Sequence, residues 1–461
     1  MNKLKAIIIG AGLAGTEAAL NLSKNDVKVD LYEMRPEKMT KAHTTDKCAE
    51  LVCSNSLRGA SLSNAVGLLK EELRALNSFV IQSADVNQVP AGGALAVDRE
   101  KFSIYLDNQV RNNKNINFIT KEIETIPEVS DDTPIIIATG PLTSESFSKS
   151  IMNLINEKYL SFYDAISPIV TADSINYDYT FRQSRYDKGN GDDYINIPFT
   201  KEEYIEFVND INSAEKLVPH HDVDENLHEF EGCMPIEDMA KRGENALRFG
   251  PCKPVGLTDP KTGMKPYAVM QLRKDNLDGS MLSLVGMQTR MTYGEQQRIF
   301  RKIKAFENAE FVRLGSVHRN TFMNSPLLLN HYMQLKKKPN IFFAGQITGT
   351  EGYVEAIAGG VVASFNAFNF LTNKPLKSFP LETAIGSLIN YISSEENAKN
   401  FQPMNVNFGL MPDYVELNME AKKNKIGKLK RREDISMRAL KILNELKEEL
   451  ESWKSEIDTD M

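Results

Sequence analysis

A glycine-rich turn near the start of the chain constrains its fold more than any other feature. Gly10, Gly12 and Gly15 form the pattern G-x-G-x-x-G directly after the apolar segment 4–9. The first glycine permits a tight turn, the second lets a pyrophosphate approach the backbone, and the third allows a helix to pack closely on a strand. The spacing therefore predicts the phosphate-binding turn of a Rossmann unit.

The segments after this turn complete a βαβ unit. Residues 14–24 have helical spacing of apolar side chains, and residues 27–32 alternate as a strand does. Glu33 ends this strand, 18 residues after Gly15, where a carboxylate can accept hydrogen bonds from ribose hydroxyls. The alternatives are a turn that binds no ligand and a simple charge at a strand end. The predicted cofactor-binding residues of this unit are Gly10, Ala11, Gly12, Leu13, Ala14, Gly15 and Glu33.

Two later segments favour FAD over NAD or S-adenosylmethionine as the dinucleotide or nucleoside ligand. Residues 134–138 are an apolar strand candidate followed by Gly140, and residues 340–344 are another, followed by Gly345. A helix is predicted to begin near Tyr353, just after Gly352, and its N-terminus favours the negative charge of reduced flavin. We therefore add these three glycines to the predicted FAD site, although helix–sheet packing alone also explains them.

The length of 461 residues predicts more than one domain. We expect an α/β fold: a Rossmann-type FAD-binding domain with an inserted smaller α+β domain and C-terminal helices. Residues 170–310 differ from the rest in their many Tyr, Asp and Asn residues and short alternating runs. The predicted division is the first half of the FAD-binding domain at 1–169, an inserted substrate or RNA domain at 170–310, the second half at 311–400 and a helical segment at 401–461.

Composition excludes several classes of protein. The four cysteines include no C-x-x-C pair, so we expect free thiols in a reducing compartment, the cytoplasm, and no metal site. We find no apolar stretch of about 18 residues and expect no membrane span. The net charge of −7 argues against a surface that coats nucleic acid everywhere. Local basic candidates for RNA phosphate or folate remain, with ordinary surface charge as the alternative: residues 422–432, Arg248, Lys253, Arg273 and Arg290.

Several long motifs resemble the folate- and FAD-dependent tRNA uracil-5-methyltransferase family. They include VCSNSL at residues 52–57 and EGCMPIE at residues 231–237, which the related wobble-uridine-modifying flavoproteins do not share in this form. The similarity extends from about residue 5 to residue 410. The motifs lie at residues 45–73, 89–103, 230–243, 247–260, 266–276, 318–326 and 344–356.

The resemblance implies a reaction, its cofactors and its partner. The one-carbon unit comes from 5,10-methylenetetrahydrofolate and is placed on C5 of a uridine in the T-loop of tRNA. Reduced FAD converts the methylene into a methyl group, and NADH or NADPH reduces the flavin again. Cys233 matches the nucleophile of the family, and Cys53 matches a thiol near the flavin that serves as base. A free cysteine is otherwise a small buried hydrophobic residue, which is how we interpret Cys48 and Cys252.

Three alternatives stay open. The sequence departs from the family pattern at Thr44, Cys48 and Ile197, and these departures leave the RNA target open, because a close relative methylates a uridine of 23S ribosomal RNA. An FAD-dependent oxidoreductase of small metabolites would need neither RNA nor Cys233. A non-catalytic RNA-binding flavoprotein would bind RNA after loss of both thiols.

Overall fold

The computed structural model describes residues 4–40, 42–156, 160–217, 234–412 and 425–459 of the chain. Its strands are β1 (Lys5–Ile9), β2 (Lys28–Glu33), β3 (Ser56–Gly59), β4 (Gln88–Val89), β5 (Ala94–Val97), β6 (Ile116–Thr120), β7 (Ile135–Ile137), β8 (Leu160–Ala165), β9 (Ile169–Thr171), β10 (Phe181–Arg182), β11 (Tyr194–Phe199), β12 (Ala268–Lys274), β13 (Met281–Leu284), β14 (Phe311–Arg313), β15 (Val317–Phe322) and β16 (Ile341–Phe343).

The described chain also contains α-helices. The helices are α1 (Leu13–Lys24), α2 (Ala65–Ala75), α3 (Phe79–Val86), α4 (Arg99–Arg111), α5 (Glu145–Ile155), α6 (Lys201–Ser213), α7 (Ile236–Lys241), α8 (Ala246–Phe249), α9 (Tyr293–Phe300), α10 (Ser325–Leu328), α11 (Tyr353–Leu371), α12 (Ala384–Ser393) and α13 (Lys425–Thr459).

A parallel five-stranded sheet forms the centre of the first layer, with strand order β16-β7-β1-β2-β6. The apolar runs predicted as strands form β1, β7 and β16, and the predicted helix after the glycine turn is α1. The side chains of β7 are completely buried, as expected for a strand with helices on both sides. The Rossmann-type α/β fold is therefore confirmed, and the carboxyl ends of β1, β2, β7 and β16 meet at one edge.

A second sheet has six antiparallel strands in the order β10-β11-β12-β13-β9-β14. It spans Ile169 to Arg313 and shares a separate apolar core with α6, α7 and α9. Strands β8 and β15 pair antiparallel between the two layers. We retain the predicted domain division as a proposal, with this sheet as the centre of the inserted part.

Leucines recur at helical spacing at positions 440, 443, 446 and 450, which predicts that the C-terminal helix packs one face on the body of the protein. Ile435, Ala439 and Leu443 are buried in the same core as the parallel sheet, while Leu440 and Leu446 are partly buried against it. Residue 450, which completes the predicted leucine row, has a side chain outside the described part of the chain.

Helix α11 is long and apolar enough, by length and composition, to cross a membrane. Its most apolar window has a mean hydropathy of 1.4, so our expectation that no such stretch exists is wrong for this helix. However, 78% of that window is buried inside the fold, where Gly360 lets the backbone of α1 approach closely. The apolar composition of α11 is therefore explained by its place between the sheet and neighbouring helices.

A buried carboxyl group joins α2 to α12. The Glu72 side chain is completely buried and accepts hydrogen bonds from the backbone N–H groups of Ala384 and Ile385, at 2.7 and 2.9 Å. Burial raises the pKa of Glu72 from 4.5 to about 8, although the two hydrogen bonds oppose that rise. The folded chain thus holds this proton more tightly than the unfolded chain does.

We expect the Glu72→Gln variant to lose a pH dependence that the natural protein has. Because the folded-state pKa is raised, the stabilising contribution of Glu72 is complete below pH 4.5 and is lost as pH rises towards 8. Between pH 6 and 8 the natural protein should lose up to about 1 kcal/mol of unfolding free energy per pH unit relative to the variant. Denaturant unfolding of both proteins at several pH values measures this, and parallel curves would contradict it.

Candidate dinucleotide and thiol site

The glycine turn after β1 has the three properties predicted for it. Gly10 has φ +100°, and a Cβ there would lie 2.6 Å from the carbonyl oxygen of Ala138. A Cβ on Gly15 would lie 1.8 Å from the carbonyl oxygen of Gly10, so only glycine lets α1 approach the turn this closely. A Cβ on Gly12 would meet no atom within 4 Å. The open space beside Gly12 is where a pyrophosphate would lie.

A cleft of about 1060 Å³, including its opening, runs along this edge of the parallel sheet. Most of the predicted cofactor residues line it: Gly10, Gly12, Leu13, Ala14, Glu33, Gly140, Gly345 and Gly352. Ala11 and Gly15 do not line the cleft. Ala11 instead supports Glu33, and Gly15 supports helix packing.

Glu33 is held in place by its own neighbours. Its carboxylate accepts a hydrogen bond from the Ala11 N–H at 2.9 Å and from the Arg35 side chain at 2.9 Å. Burial would raise the pKa of Glu33, but the hydrogen bond and charge of Arg35, with the Ala11 N–H, lower it overall. Glu33 is therefore ionised and fixed at the cleft, with lone pairs left for ribose hydroxyls.

The opposite end of the cleft is formed by the turn before α11. Gly345 and Gly352 have φ values of +80° and +109°, which only glycine adopts readily, and both line the cleft. Tyr353, the first residue of α11, lines the cleft as well. The N-terminus of a long helix therefore faces the space at this end, where its dipole favours negative charge.

The cleft fits FAD on the evidence of its own residues. Two helix N-termini face it, one at the glycine turn for a pyrophosphate and one at Tyr353. Open space adjoins Gly12 and Gly140, where any side chain would occupy the cleft. Glu33 lies where the adenosine ribose would bind. Among the described residues, no group of three or more His, Cys, Asp or Glu side chains is arranged to hold a metal ion.

Cys53 lies at the Tyr353 end of this cleft. The Tyr353 hydroxyl oxygen accepts hydrogen bonds from the backbone N–H groups of Cys53, at 2.8 Å, and Ser54, at 3.1 Å. Burial, followed by the charge of Cys53, raises the pKa of Tyr353, so its hydroxyl stays protonated. The Cys53 thiol is half-buried and is 3.9 Å from the Ala165 carbonyl oxygen. One tyrosine thus connects the cleft to the predicted thiol base.

The turn that contains Cys53 is fixed from the second sheet. Arg273 of β12 donates to the Asn55 side-chain oxygen at 2.7 Å and to the Ser54 hydroxyl at 3.2 Å. The Asn55 amide donates to the carbonyl oxygens of Val97 and Lys274. Arg273 is only 7% exposed. It therefore supports the Cys53 turn, while its binding of folate or RNA phosphate stays a prediction.

The remaining predicted site residues include Cys233 and Arg290. Cys233 lies outside the described residues. Glu237, the last residue of the EGCMPIE motif, is completely buried on α7 and accepts hydrogen bonds from the Thr289 hydroxyl and the Met291 N–H. Arg290 forms an ion pair with Asp238 at 2.6 Å.

Cys48 and Cys252 are completely buried, as our interpretation of them as small hydrophobic residues requires. Burial raises the pKa of Cys48, and it raises that of Cys252 to about 12. Neither thiol therefore ionises readily, and a protonated thiol is a poor nucleophile. Cys53 differs from both in being only half-buried.

We expect the Tyr353→Phe variant to retain the fold but to destabilise the Cys53 turn. Two backbone N–H groups lose their acceptor, which lowers the unfolding free energy by about 1–3 kcal/mol. The matched control is Tyr391→Phe, since the Tyr391 hydroxyl donates to a carbonyl oxygen at an exposed position, and its loss should be below about 1 kcal/mol. Denaturant unfolding of both variants tests this, and equal losses would contradict the assignment.

Comparison with known proteins gives the family. Residues 5–375 match the family described as glucose inhibited division protein A. The methylenetetrahydrofolate–tRNA-(uracil-5-)-methyltransferase TrmFO of Acetivibrio thermocellus is 53% identical over 95% of this chain and 97% of its own length. The protein of the same name from Listeria monocytogenes serotype 4b is 53% identical over 96% of this chain and 99% of its length. That of Natranaerobius thermophilus is 52% identical over 96% and 99%.

Solved structures agree on the fold. The form I crystal structure of Aquifex aeolicus GidA has a TM-score of 0.67 with this chain, at 17% identity, over 98% of this chain and 80% of that one. The form II structure has a TM-score of 0.65, over 98% and 77%. The relatives at 53% identity align over almost their whole length, and the family match covers most of the chain. The chain therefore belongs to the methylenetetrahydrofolate–tRNA-(uracil-5-)-methyltransferase (TrmFO) family, within the group described as glucose inhibited division protein A.

Proposed function

We propose that this protein methylates C5 of a uridine in the T-loop of tRNA. The one-carbon unit comes from 5,10-methylenetetrahydrofolate, and FAD with NADH or NADPH supplies the reducing power. The names of the TrmFO relatives support the folate donor, the uracil C5 position and tRNA. None of those names refers to ribosomal RNA, so the ribosomal alternative has no support among them.

One observation in the structure supports the proposal most directly. Tyr353 lines the dinucleotide cleft and also binds the backbone of Cys53. A thiol beside the flavin end of the cleft is what methylene transfer followed by reduction requires. A plain oxidoreductase gives no reason for Arg273 to fix this thiol turn through Asn55.

The thiols have separate tasks in the proposed reaction. Uracil C5 is a poor nucleophile until a thiolate adds to C6 and converts the ring into an enolate. We assign this addition to Cys233, which leaves again when the product forms. After C5 has bonded to the folate methylene, a base must remove the C5 proton so that tetrahydrofolate can leave. We assign that proton transfer to Cys53.

A few residues of this chain would hold the FAD that the last step of the reaction requires. Bound FAD, reduced by NADH or NADPH, supplies the hydride that turns the exocyclic methylene into a methyl group. Gly10, Gly12 and the start of α1 would hold its pyrophosphate, and Glu33 its ribose. The start of α11 places a favourable dipole at the other end of the cleft.

The RNA must present its uridine to the cleft. A T-loop uridine lies inside a folded arm, so its base has to be turned outward to reach the cleft. Basic side chains would contact phosphates and position the RNA without reading its sequence. We place this reaction in the cytoplasm, where thiols stay reduced, and propose no membrane partner and no metal.

The proposal is tested by following the one-carbon unit. Purified protein is incubated with 5,10-methylenetetrahydrofolate labelled in its methylene carbon, with NADH or NADPH, and with unmodified tRNA or 23S ribosomal RNA transcripts. We expect label in 5-methyluridine of the tRNA T-loop. The matched control is a tRNA transcript with cytidine at that position, which should remain unlabelled.

Each result distinguishes the rival functions. Label in the ribosomal transcript alone would overturn the choice of tRNA. Reductant consumption without labelled RNA would favour a small-molecule oxidoreductase. Transfer of label from methyl-labelled S-adenosylmethionine would overturn the folate donor.

A further inference from the structure

A second cavity lies beside the Cys53 turn, between α4 and the edge of the antiparallel sheet. It has about 1880 Å³ of space, including a wide opening. Its wall includes Thr44, Arg99, Lys101, Tyr293 and Arg313. We call it the Arg313 cavity. The dinucleotide cleft is lined by different residues, so this is a separate space.

The Arg313 cavity lies near the turn that holds the predicted thiol base. Arg99, which lines it, donates from Nη1 to the Leu51 carbonyl oxygen at 2.7 Å, two residues before Cys53. Arg313 lies within electrostatic range of the Cys53 and Tyr353 side chains. A ligand in the inner part of the cavity is therefore a neighbour of the group that acts on uracil C5.

The two arginines of the cavity differ in their partners. Arg99 forms a bidentate ion pair with Asp275, through Nε at 2.9 Å and Nη2 at 3.2 Å. The carboxylate of Asp275 therefore balances the positive charge of Arg99. Arg313 lies half-buried at the end of β14, and no described residue forms a hydrogen bond or ion pair with its guanidinium. A half-buried guanidinium without a carboxylate partner is a natural site for an anionic ligand.

The electrostatics of Arg313 support the same conclusion. Burial lowers the pKa of Arg313, and the positive charge of Arg99 lowers it further. The opposing negative charge of Asp275 does not offset these two effects. An anion that enters the inner cavity would relieve an unfavourable positive charge.

We propose that Arg313 binds a phosphate of the RNA strand that carries the target uridine, and that the Arg313 cavity is the entry for that strand. This inference rests on the proposed function. The phosphate of the reacting nucleotide is separated from its base only by the sugar, so it reaches a guanidinium close to Cys53. The carboxylates of folate lie beyond an aminobenzoyl group, farther from the reacting carbon.

The opening of the cavity favours RNA over folate as well. Tyr293 begins α9 at the rim and is 57% exposed. An exposed aromatic ring on the cavity wall suits single-stranded RNA, because each unstacked base can stack on a ring. Lys101, with a side chain 59% exposed on α4, lies on the same cavity wall. With a phosphate bound at Arg313 inside the cavity and a base stacked on Tyr293 at its opening, the RNA strand would enter the cavity from solvent.

The test is the salt dependence of RNA binding by the FAD-bound protein. We expect Arg313→Gln to raise the Kd for unmodified tRNA about tenfold. The slope of log Kd against log salt should fall by about 0.7–0.9, the change expected for one lost phosphate contact. Arg313→Lys keeps the charge and should retain most of that slope. The KM for methylenetetrahydrofolate should stay within about twofold in both variants.

The control variant removes an arginine that already has partners. Arg298→Gln changes the same charge, but Arg298 is paired with Glu295 and Asp210. Its salt slope should equal that of the natural protein. An equal loss in both glutamine variants would show only the effect of net charge and would overturn the inference.

Failure of this inference is distinguishable from failure of the proposed function. A raised KM for methylenetetrahydrofolate with unchanged RNA binding would make the occupant folate and overturn it. Natural protein that binds tRNA with the expected slope yet transfers no label would instead refute the methylation. Normal flavin absorbance of Arg313→Gln shows that the variant is folded, and Arg313→Lys provides a second folded variant.

Discussion

The Cys233→Ala variant is expected to bind FAD as the natural protein does and to transfer no methyl group to tRNA. The cleft that fits FAD is lined by the glycine turns and by residues at the strand ends, all distant in sequence from Cys233. The proposed chemistry nevertheless requires a thiolate on uracil C6 before C5 can react. Removing the nucleophile should therefore lower single-turnover methylation at least about a thousandfold. The absorbance of the bound flavin should not change.

The matched control for this experiment is Cys252→Ala. Cys252 is completely buried, and burial raises the pKa of its thiol to about 12, so it offers no nucleophile. This control should keep methyl transfer within about threefold of the natural rate, with a stability loss typical of removing one buried atom. Methylation by Cys233→Ala at a comparable rate would refute the nucleophile assignment and leave Cys53 as the only candidate among the family motifs.

The central sheet and the nucleotide end of the site could be predicted because their signals are local. The apolar runs of β1, β7 and β16 end at glycines, and the spacing of Gly10, Gly12 and Gly15 has a steric meaning that the structure reproduces. Positive φ values and close backbone contacts leave few alternatives to glycine. Such constraints can be recognised within a dozen residues of sequence.

The support of the Cys53 turn could not be predicted because its contacts join distant parts of the chain. Tyr353 binds the backbone of Cys53 across 300 residues of sequence, and Arg273 binds Asn55 across 218. No periodicity or motif spacing encodes these pairs. They arise only when the antiparallel sheet packs beside the parallel one, and an arginine in an alternating strand is otherwise indistinguishable from a surface charge.

The role proposed for Arg313 also could not be predicted from the sequence. It ends a three-residue strand whose sequence, FVR, carries no motif. Its significance comes from the contrast with Arg99, which Asp275 neutralises. Which carboxylate pairs with which arginine depends on how the side chains pack. Sequence patterns alone therefore leave every cationic residue equally plausible as an anion-binding site.

The Gly12→Val variant is expected to fold and to lose FAD. Gly12 has φ −73°, which any residue adopts, and a Cβ there would meet no protein atom within 4 Å. Valine therefore causes no clash within the protein itself and only fills the space beside the start of α1. That space is where the pyrophosphate has to approach the backbone, so the side chain competes with the cofactor. We expect less than about a tenth of the flavin content of the natural protein, given the steepness of steric exclusion in packed sites.

Two further variants separate this effect from general damage. Gly294→Val places the same side chain on α9, where a Cβ also meets no atom within 4 Å, and it should keep its flavin. Gly15→Val forces a Cβ to within 1.8 Å of the Gly10 carbonyl oxygen and should prevent folding. Absorbance of bound flavin and thermal unfolding with added FAD provide the measurements. Gly12→Val should unfold at a temperature that FAD no longer raises, because stabilisation by a ligand requires binding. Full flavin content in that variant would mean that the pyrophosphate does not pass the glycine turn, and the cofactor site would have to lie elsewhere.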